Sequence, residues 1–115
     1  MRNLQTIGLI VSDVAAAATF FREVVGLPQE ISNPNFAQFR SQGLTIMLSR
    51  NAEVPTGKAA GIILHILVDN VALALSEAES KGAVVLQEIT ETDWWTESAM
   101  IAGPDGIVID FYKPI

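Results

Sequence analysis

The chain has 115 residues, half of them hydrophobic, which suits one compact domain with a real core and argues against disorder. Seven basic residues stand against 13 acidic ones, a formal net charge of -6 with neither sign clustered, which argues against nucleic acid and anionic membrane surfaces as partners. There is no cysteine, so disulfides, thiolate metal sites and a cysteine nucleophile are excluded.

The opening MRNLQTIGLIVSD has no long apolar stretch before a small-residue cleavage site, so it does not read as a signal peptide, and the expected location is cytoplasmic. A first strand is expected over 4–12. Asp13 follows as a helix N-cap, because its carboxylate can accept free backbone N–H groups. The helix runs over 14–25 with an apolar stripe of Val14, Ala17, Ala18, Phe21 and Val25, and Gly26 stands where a C-terminal cap belongs. Strands are expected over 28–33, 36–41 and 44–49. A linker over 51–59 follows, punctuated by Pro55 and Gly57. The next strand, 60–68, holds the longest apolar run, Ile62–Val68; that run contains a histidine and is too short to span a bilayer. A helix over 70–81 carries the stripe Val71, Ala74, Leu75 and Ala78, and strands over 84–90, 95–102 and 107–113 complete the chain.

The order is repeated. LIVSDVAAAATFFREVVGL (Leu9–Leu27) aligns with HILVDNVALALSEAESKGA (His65–Ala83), which places Asp13 on Asp69 and Gly26 on Gly82. QGLTIMLSR (Gln42–Arg50) aligns with DGIVIDFYK (Asp105–Lys113), which places Met47 on Asp110. The offset grows by seven residues between the two matches, and the surplus is expected in the TETDWWTE region. The reading is one α+β domain, 1–115, of two tandem βαβββ modules (1–50 and 60–115), forming a cupped mixed sheet around a cavity.

Alternation along each strand assigns its faces. Ile7, Leu9, Val11, Leu44, Ile46 and Leu48 fall on one face of the first module, with Ile62, Leu64, Ile66, Ile107, Ile109 and Phe111 in the second; these should pack under the helices. The opposite faces collect Thr6, Thr45, Met47, Ser49, His65, Asp110 and Tyr112, a mixture suited to a ligand cavity.

Three stretches, IGLIVSDVAAAATFFREVVGLP, HILVDNVALALSEAESKGA and GPDGIVIDFY, resemble the vicinal oxygen chelate superfamily, the glyoxalase, bleomycin-resistance and extradiol dioxygenase group. Phe20-Phe21 stands for the family's aromatic pair, and Gly103 replaces the first Asp of its last motif. The resemblance implies the fold and a homodimer. Metal-dependent members of this group place one ligand on each of four strands. Here those slots hold Thr6 (Gln5 if the register slips by one), Met47, Ile63 and Asp110, of which only Asp110 suits a divalent cation. His65 reaches a ligand position if its strand shifts by two.

His65, the one histidine, reads as an imidazole bonded to a neighbour, or as a ligand-contacting group paired across the sheets with Asp110 as acid and base. Asp110 reads as a wet-face carboxylate meeting Arg40 or another base, or as a functional contact. Trp94 and Trp95 sit in a loop and read as an aromatic lid of which one ring meets a flat ligand, or as a packing or dimer contact. Of Phe36 and Phe39 only one can share the cavity face. Glu91, Asp93 and Glu97 form a solvated edge or attract a cation. The expected function is metal-independent binding of an aromatic or peptide-like compound, as in antibiotic-binding members, lined by Trp94, Trp95, Phe36, Phe39, Met47, His65, Asp110 and Tyr112, with no cofactor. The alternatives are a divalent-metal lyase, isomerase or dioxygenase, a metal-free enzyme using His65 and Asp110, and a dimerisation module.

Overall fold

A computed structural model describes residues 1–50 and 56–115, so much of the expected linker, 51–55 with Pro55, lies outside the described residues. The chain folds as two compact units, Met1–Lys58 and Ala59–Ile115.

In the first unit β1 (Thr6–Ile10) leads into α1 (Val14–Thr19), which continues as a π-helical segment, Phe20–Val25. The strands β2 (Gln29–Asn33), β3 (Phe36–Ser41) and β4 (Leu44–Ser49) follow, and the four-stranded sheet has the order β1-β4-β3-β2. β1 lies parallel to β4; the β2-β3 and β3-β4 pairs are antiparallel. The second unit repeats the plan with β5 (Ile63–Leu67), α2 (Val71–Ser80), β6 (Val85–Glu91), β7 (Thr96–Ala102), a 3-10 turn (Pro104–Gly106) and β8 (Val108–Pro114), in the order β5-β8-β7-β6. These are the two βαβββ modules and the α+β class that the sequence implies.

Each helix covers one sheet face. Val14, Ala17, Ala18, Phe21 and Val25 are all buried, together with Leu9, Ala37, Phe39, Ile46 and Leu48. In the second unit Val71, Leu75 and Ala78 are buried, as are Ala99, Ile101, Ile107, Ile109 and Phe111. Burying aliphatic and aromatic side chains at this level contributes roughly 1.5–3 kcal/mol each relative to exposure, so the stripes decide which face each helix presents. Ile62 departs from the expected pattern. It precedes β5 and is 43 % exposed, while its carbonyl accepts a hydrogen bond from Val108 N at 3.0 Å.

The repeat is exact in plan and inexact in register. Asp13 caps α1 as expected, its Oδ1 accepting from Ala16 N at 3.0 Å. The α2 cap is Asn70 and not Asp69: Asn70 Oδ1 accepts from Leu73 N at 3.0 Å. The cap moves because Val71, at 0 % exposure, must enter the core where Val14 does in the first unit, and the residue ahead of each valine becomes the cap. Both helical stretches still end at a glycine with positive φ, Gly26 at 86° and Gly82 at 90°. One more residue therefore separates cap from glycine in the first unit, and the wider π-helical turn absorbs it; Gly26 N and Leu27 N both bond to Phe21 O, at 3.0 and 3.1 Å.

The surplus of the second module is also distributed differently from expectation. β6 and β7 are longer than β2 and β3, and further residues enter both the loop after β6 and the turn before β8. That turn is held tightly. Ala59 N donates to Asp105 O at 2.8 Å, and a Cβ on Gly106 (φ 85°) would lie 2.3 Å from Ala59 O, which explains why the position is glycine.

Candidate functional site

The face of the second sheet away from α2 carries the chemistry. β5 and β8 run side by side in parallel, with His65 opposite Asp110 and Leu67 opposite Tyr112. On the other flank β7 places Met100 opposite Asp110 and Ser98 opposite Tyr112. β6 extends the same row, with Gln87 opposite Met100. A single line of side chains, Gln87, Met100, Asp110 and His65, thus crosses all four strands.

Asp110 is buried, 4 % exposed, and both carboxylate oxygens are engaged. Oδ2 lies 2.6 Å from His65 Nδ1, and Oδ1 accepts from Ser98 Oγ at 2.5 Å. The sequence raised a His65–Asp110 pair between separate parts of the assembly. The structure places the two on neighbouring strands of one sheet, because β8 returns to lie beside β5. Asp110 meets His65 and Ser98, and not Arg40, which bonds to Glu30. A carboxylate accepts, so Nδ1 is the donor of the 2.6 Å bond, and Nε2 is the ring nitrogen that makes no contact with Asp110. The imidazole is exposed over 56 % of its side chain and rests edge-on against the Tyr112 ring, 6.1 Å between centroids.

Beside this pair lies a cavity of about 300 Å³, lined by Gln87, Thr90, Glu91, Thr92, Asp93, Trp94 and Met100. Its rim is the β6-β7 loop, closed by Thr92 N to Thr96 O at 2.8 Å and by a Thr92–Thr96 hydroxyl pair at 2.7 Å. Trp94 and Trp95 are 71 % and 78 % exposed, and Trp94 lines the cavity. Trp95 occupies the left-handed region at φ 67° and does not belong to the lining. The strand expected from residue 95 begins at Thr96.

The remaining candidates sit elsewhere. Phe36, Met47 and Ser49 are half-buried on the far face of the first sheet, and Thr45, on the same face opposite Arg40, is buried. Phe39 does not share that face: it is fully buried under α1, with its ring centroid 5.9 Å from Phe21. Gln5 lies just ahead of β1, its carbonyl accepting from Thr45 N at 2.8 Å, and the β1-β4 pairing runs without a bulge from Thr6 to Ile10, so the register does not slip to bring Gln5 into the Thr6 position. Ser98, Met100 and Gln87 were not singled out from sequence; the serine and methionine of TESAMIA, alternating with buried Ala99 and Ile101, were the available signal. A cavity of about 420 Å³ in the first unit, between α1 and the β2-β3 turn, contains one charged residue, Arg22, which is bonded to Glu23 and Gln29.

The family's metal slots hold a hydroxyl (Thr6), a thioether (Met47), a hydrocarbon (Ile63) and a carboxylate whose oxygens already take two donors. Among the described residues no group of three or more His, Asp or Glu gathers. That donor set does not fit a hard or borderline divalent cation, which takes imidazole and carboxylate oxygen. No helix among the described residues is long and apolar enough to cross a membrane.

Comparison with other proteins agrees with this fold. A solved structure described as a conserved domain protein is 36% identical, covers 99% of this chain and 100% of that one, and has a TM-score of 0.85. The uncharacterized protein YwbC of Bacillus subtilis (strain 168) is 28% identical over 126 residues, covering 97% of this chain and 98% of that protein. TnmS3, an antibiotic binding protein from Streptomyces sp. CB03234, shares the fold at 24% identity and a TM-score of 0.78, covering 100% of this chain and 98% of that one. The model of the Glyoxalase/Bleomycin resistance protein/Dioxygenase superfamily matches residues 3–111, the span of both modules, and the chain belongs to that superfamily.

Proposed function

We propose that this protein binds a small aromatic compound, without a metal ion, on the far face of its second sheet. One observation carries the reading: Trp94 and Met100 line the same cavity, and Met100 is the register neighbour of Asp110 and hence of the His65 pair. An aromatic wall, a polarisable thioether and a few convergent polar groups are the usual furniture of a small-molecule site. The fold likeness to an antibiotic binding protein supports a small-molecule ligand. Glu91 and Asp93 on the lining, with the net charge of -6, favour a ligand that is neutral or cationic. Metal independence is supported by the donor set, and a homodimer remains part of the proposal.

Two measurements test this. Titration with a panel of flat aromatic antibiotics should quench tryptophan fluorescence; Trp94→Ala should weaken binding about tenfold or more, and Trp95→Ala should leave it within about twofold. Absence of quenching by every compound overturns the site. Calorimetric titration with Ni, Mn, Fe and Zn should show no stoichiometric uptake. Tight uptake that disappears in Asp110→Ala and His65→Ala would overturn metal independence.

A further inference from the structure

We infer that Ser98, Asp110 and His65 form a fixed hydrogen-bond chain whose purpose is to present His65 Nε2 as an acceptor, so that the site selects planar aromatic compounds bearing a hydroxyl. This rests on the binding site proposed above and deepens it by naming the ligand class. Ser98 is 1 % exposed, and its hydroxyl donates to Asp110 Oδ1 at 2.5 Å. Asp110, at 4 % exposure, has its other oxygen 2.6 Å from His65 Nδ1. A carboxylate held from both sides cannot swing away, so it holds the imidazole with Nδ1–H toward it, and in the neutral ring the Nε2 lone pair is then the one available. Tyr112, edge-on at 6.1 Å, supports the ring from a third direction. The buried part of the chain is complete, and its last member is the exposed one. A purely structural pair would have no need to leave more than half of the imidazole in solvent.

The row geometry sets the size of the ligand. Met100 in the cavity lining and His65 stand two strands apart, a separation of roughly 10 Å at ordinary sheet spacing. A rigid ring system of about that length, three fused rings, can rest under Trp94 and over Met100 at one end and offer its hydroxyl to Nε2 at the other. An aryl ether of the same shape cannot donate, and an unmet polar contact costs affinity.

The test uses the full chain and two probes, 2-hydroxyanthraquinone and its 2-methoxy ether, at a pH where the phenol is un-ionised, read by tryptophan quenching and calorimetry. The hydroxyl probe should bind about 10-fold tighter than the ether. His65→Leu should abolish that preference, bringing the two probes to equal affinity, and His65→Gln, which keeps an acceptor, should restore part of it. Asp110→Asn and Ser98→Ala, positioning variants, should lower the ratio of the two affinities; if Asp110→Asn fails to fold, exposed His65 and the small change at Ser98 carry the test. Long-range nitrogen–proton NMR correlations read the tautomer without assignment, since the chain has one histidine, and should show Nδ1–H. Equal affinity for the two probes, or an Nε2–H tautomer in the free protein, overturns the inference and leaves the aromatic site standing. Quenching by neither probe overturns the inference, and the aromatic site falls with it only if the antibiotic panel also fails to quench.

Discussion

At the scale of the residue, the two phenylalanines of β3 show how one step along a strand separates roles. Phe39 is fully buried against Phe21, and Phe36, three positions earlier, faces the other way beside Ser49. Phe39→Ala should therefore cost about 3–5 kcal/mol of stability in urea denaturation, and Phe36→Ala much less, because only the first opens a cavity in packed core. Glu30 gives a smaller effect with a definite sign. Its carboxyl is held below the ordinary carboxylate range chiefly by the hydrogen bond from Gln38; desolvation opposes this, and Arg40 adds to the lowering. A carboxylate with a depressed folded-state value adds stability that is present above the unfolded value and is lost as pH falls through the folded one. Glu30→Gln should flatten the acid side of the stability profile slightly, as read by urea midpoints across mildly acidic pH; the group is exposed, so solvent screens most of the effect.

At the scale of the element, the caps and turns decide where helices and strands begin. Asp13→Ala and Asn70→Ala should each cost about 1 kcal/mol, whereas Asp69→Ala should stay within about 0.5 kcal/mol, because the side-chain bond to the α2 terminus comes from Asn70. Thermal melts of the three variants distinguish these outcomes. Gly106 is the tightest turn position: any Cβ there meets Ala59 O, and φ is 85°. Gly106→Ala should lower stability by about 3 kcal/mol and loosen the start of β5, visible as faster amide exchange at Ala59, whose N–H bonds to Asp105 O.

At the scale of the whole molecule, the acidic balance acts on binding more than on folding. Glu91 and Asp93 line the cavity in a chain of net charge -6, so a cationic aromatic probe should lose affinity several-fold between low and high salt. The neutral 2-methoxyanthraquinone should not respond, and a matching loss for both probes would remove charge from the account of the site.

Much of this was legible from the residues alone. Helix stripes, the duplication and the glycine punctuation report short-range periodicity, and periodicity of 3.6 and 2 is written directly in the order of side chains. The stripe Val14, Ala17, Ala18, Phe21 and Val25 is buried as a set, and parity alone placed Asp110 and His65 on one face. What parity cannot give is which strands are neighbours and in what register. β5 and β8 are more than forty residues apart in sequence, and only their parallel pairing brings His65 Nδ1 to Asp110 Oδ2. Likewise Ser98 is an isolated hydroxyl in the sequence and becomes the second donor to that carboxylate only once β7 packs beside β8. A one-residue difference in helix length, invisible in aligned glycines, moved the cap from Asp69 to Asn70, since the need to bury Val71 outweighed the repeat. Local pattern thus determined the elements and their faces, and long-range pairing, set by how strands return through the sheet, decided which side chains share a site.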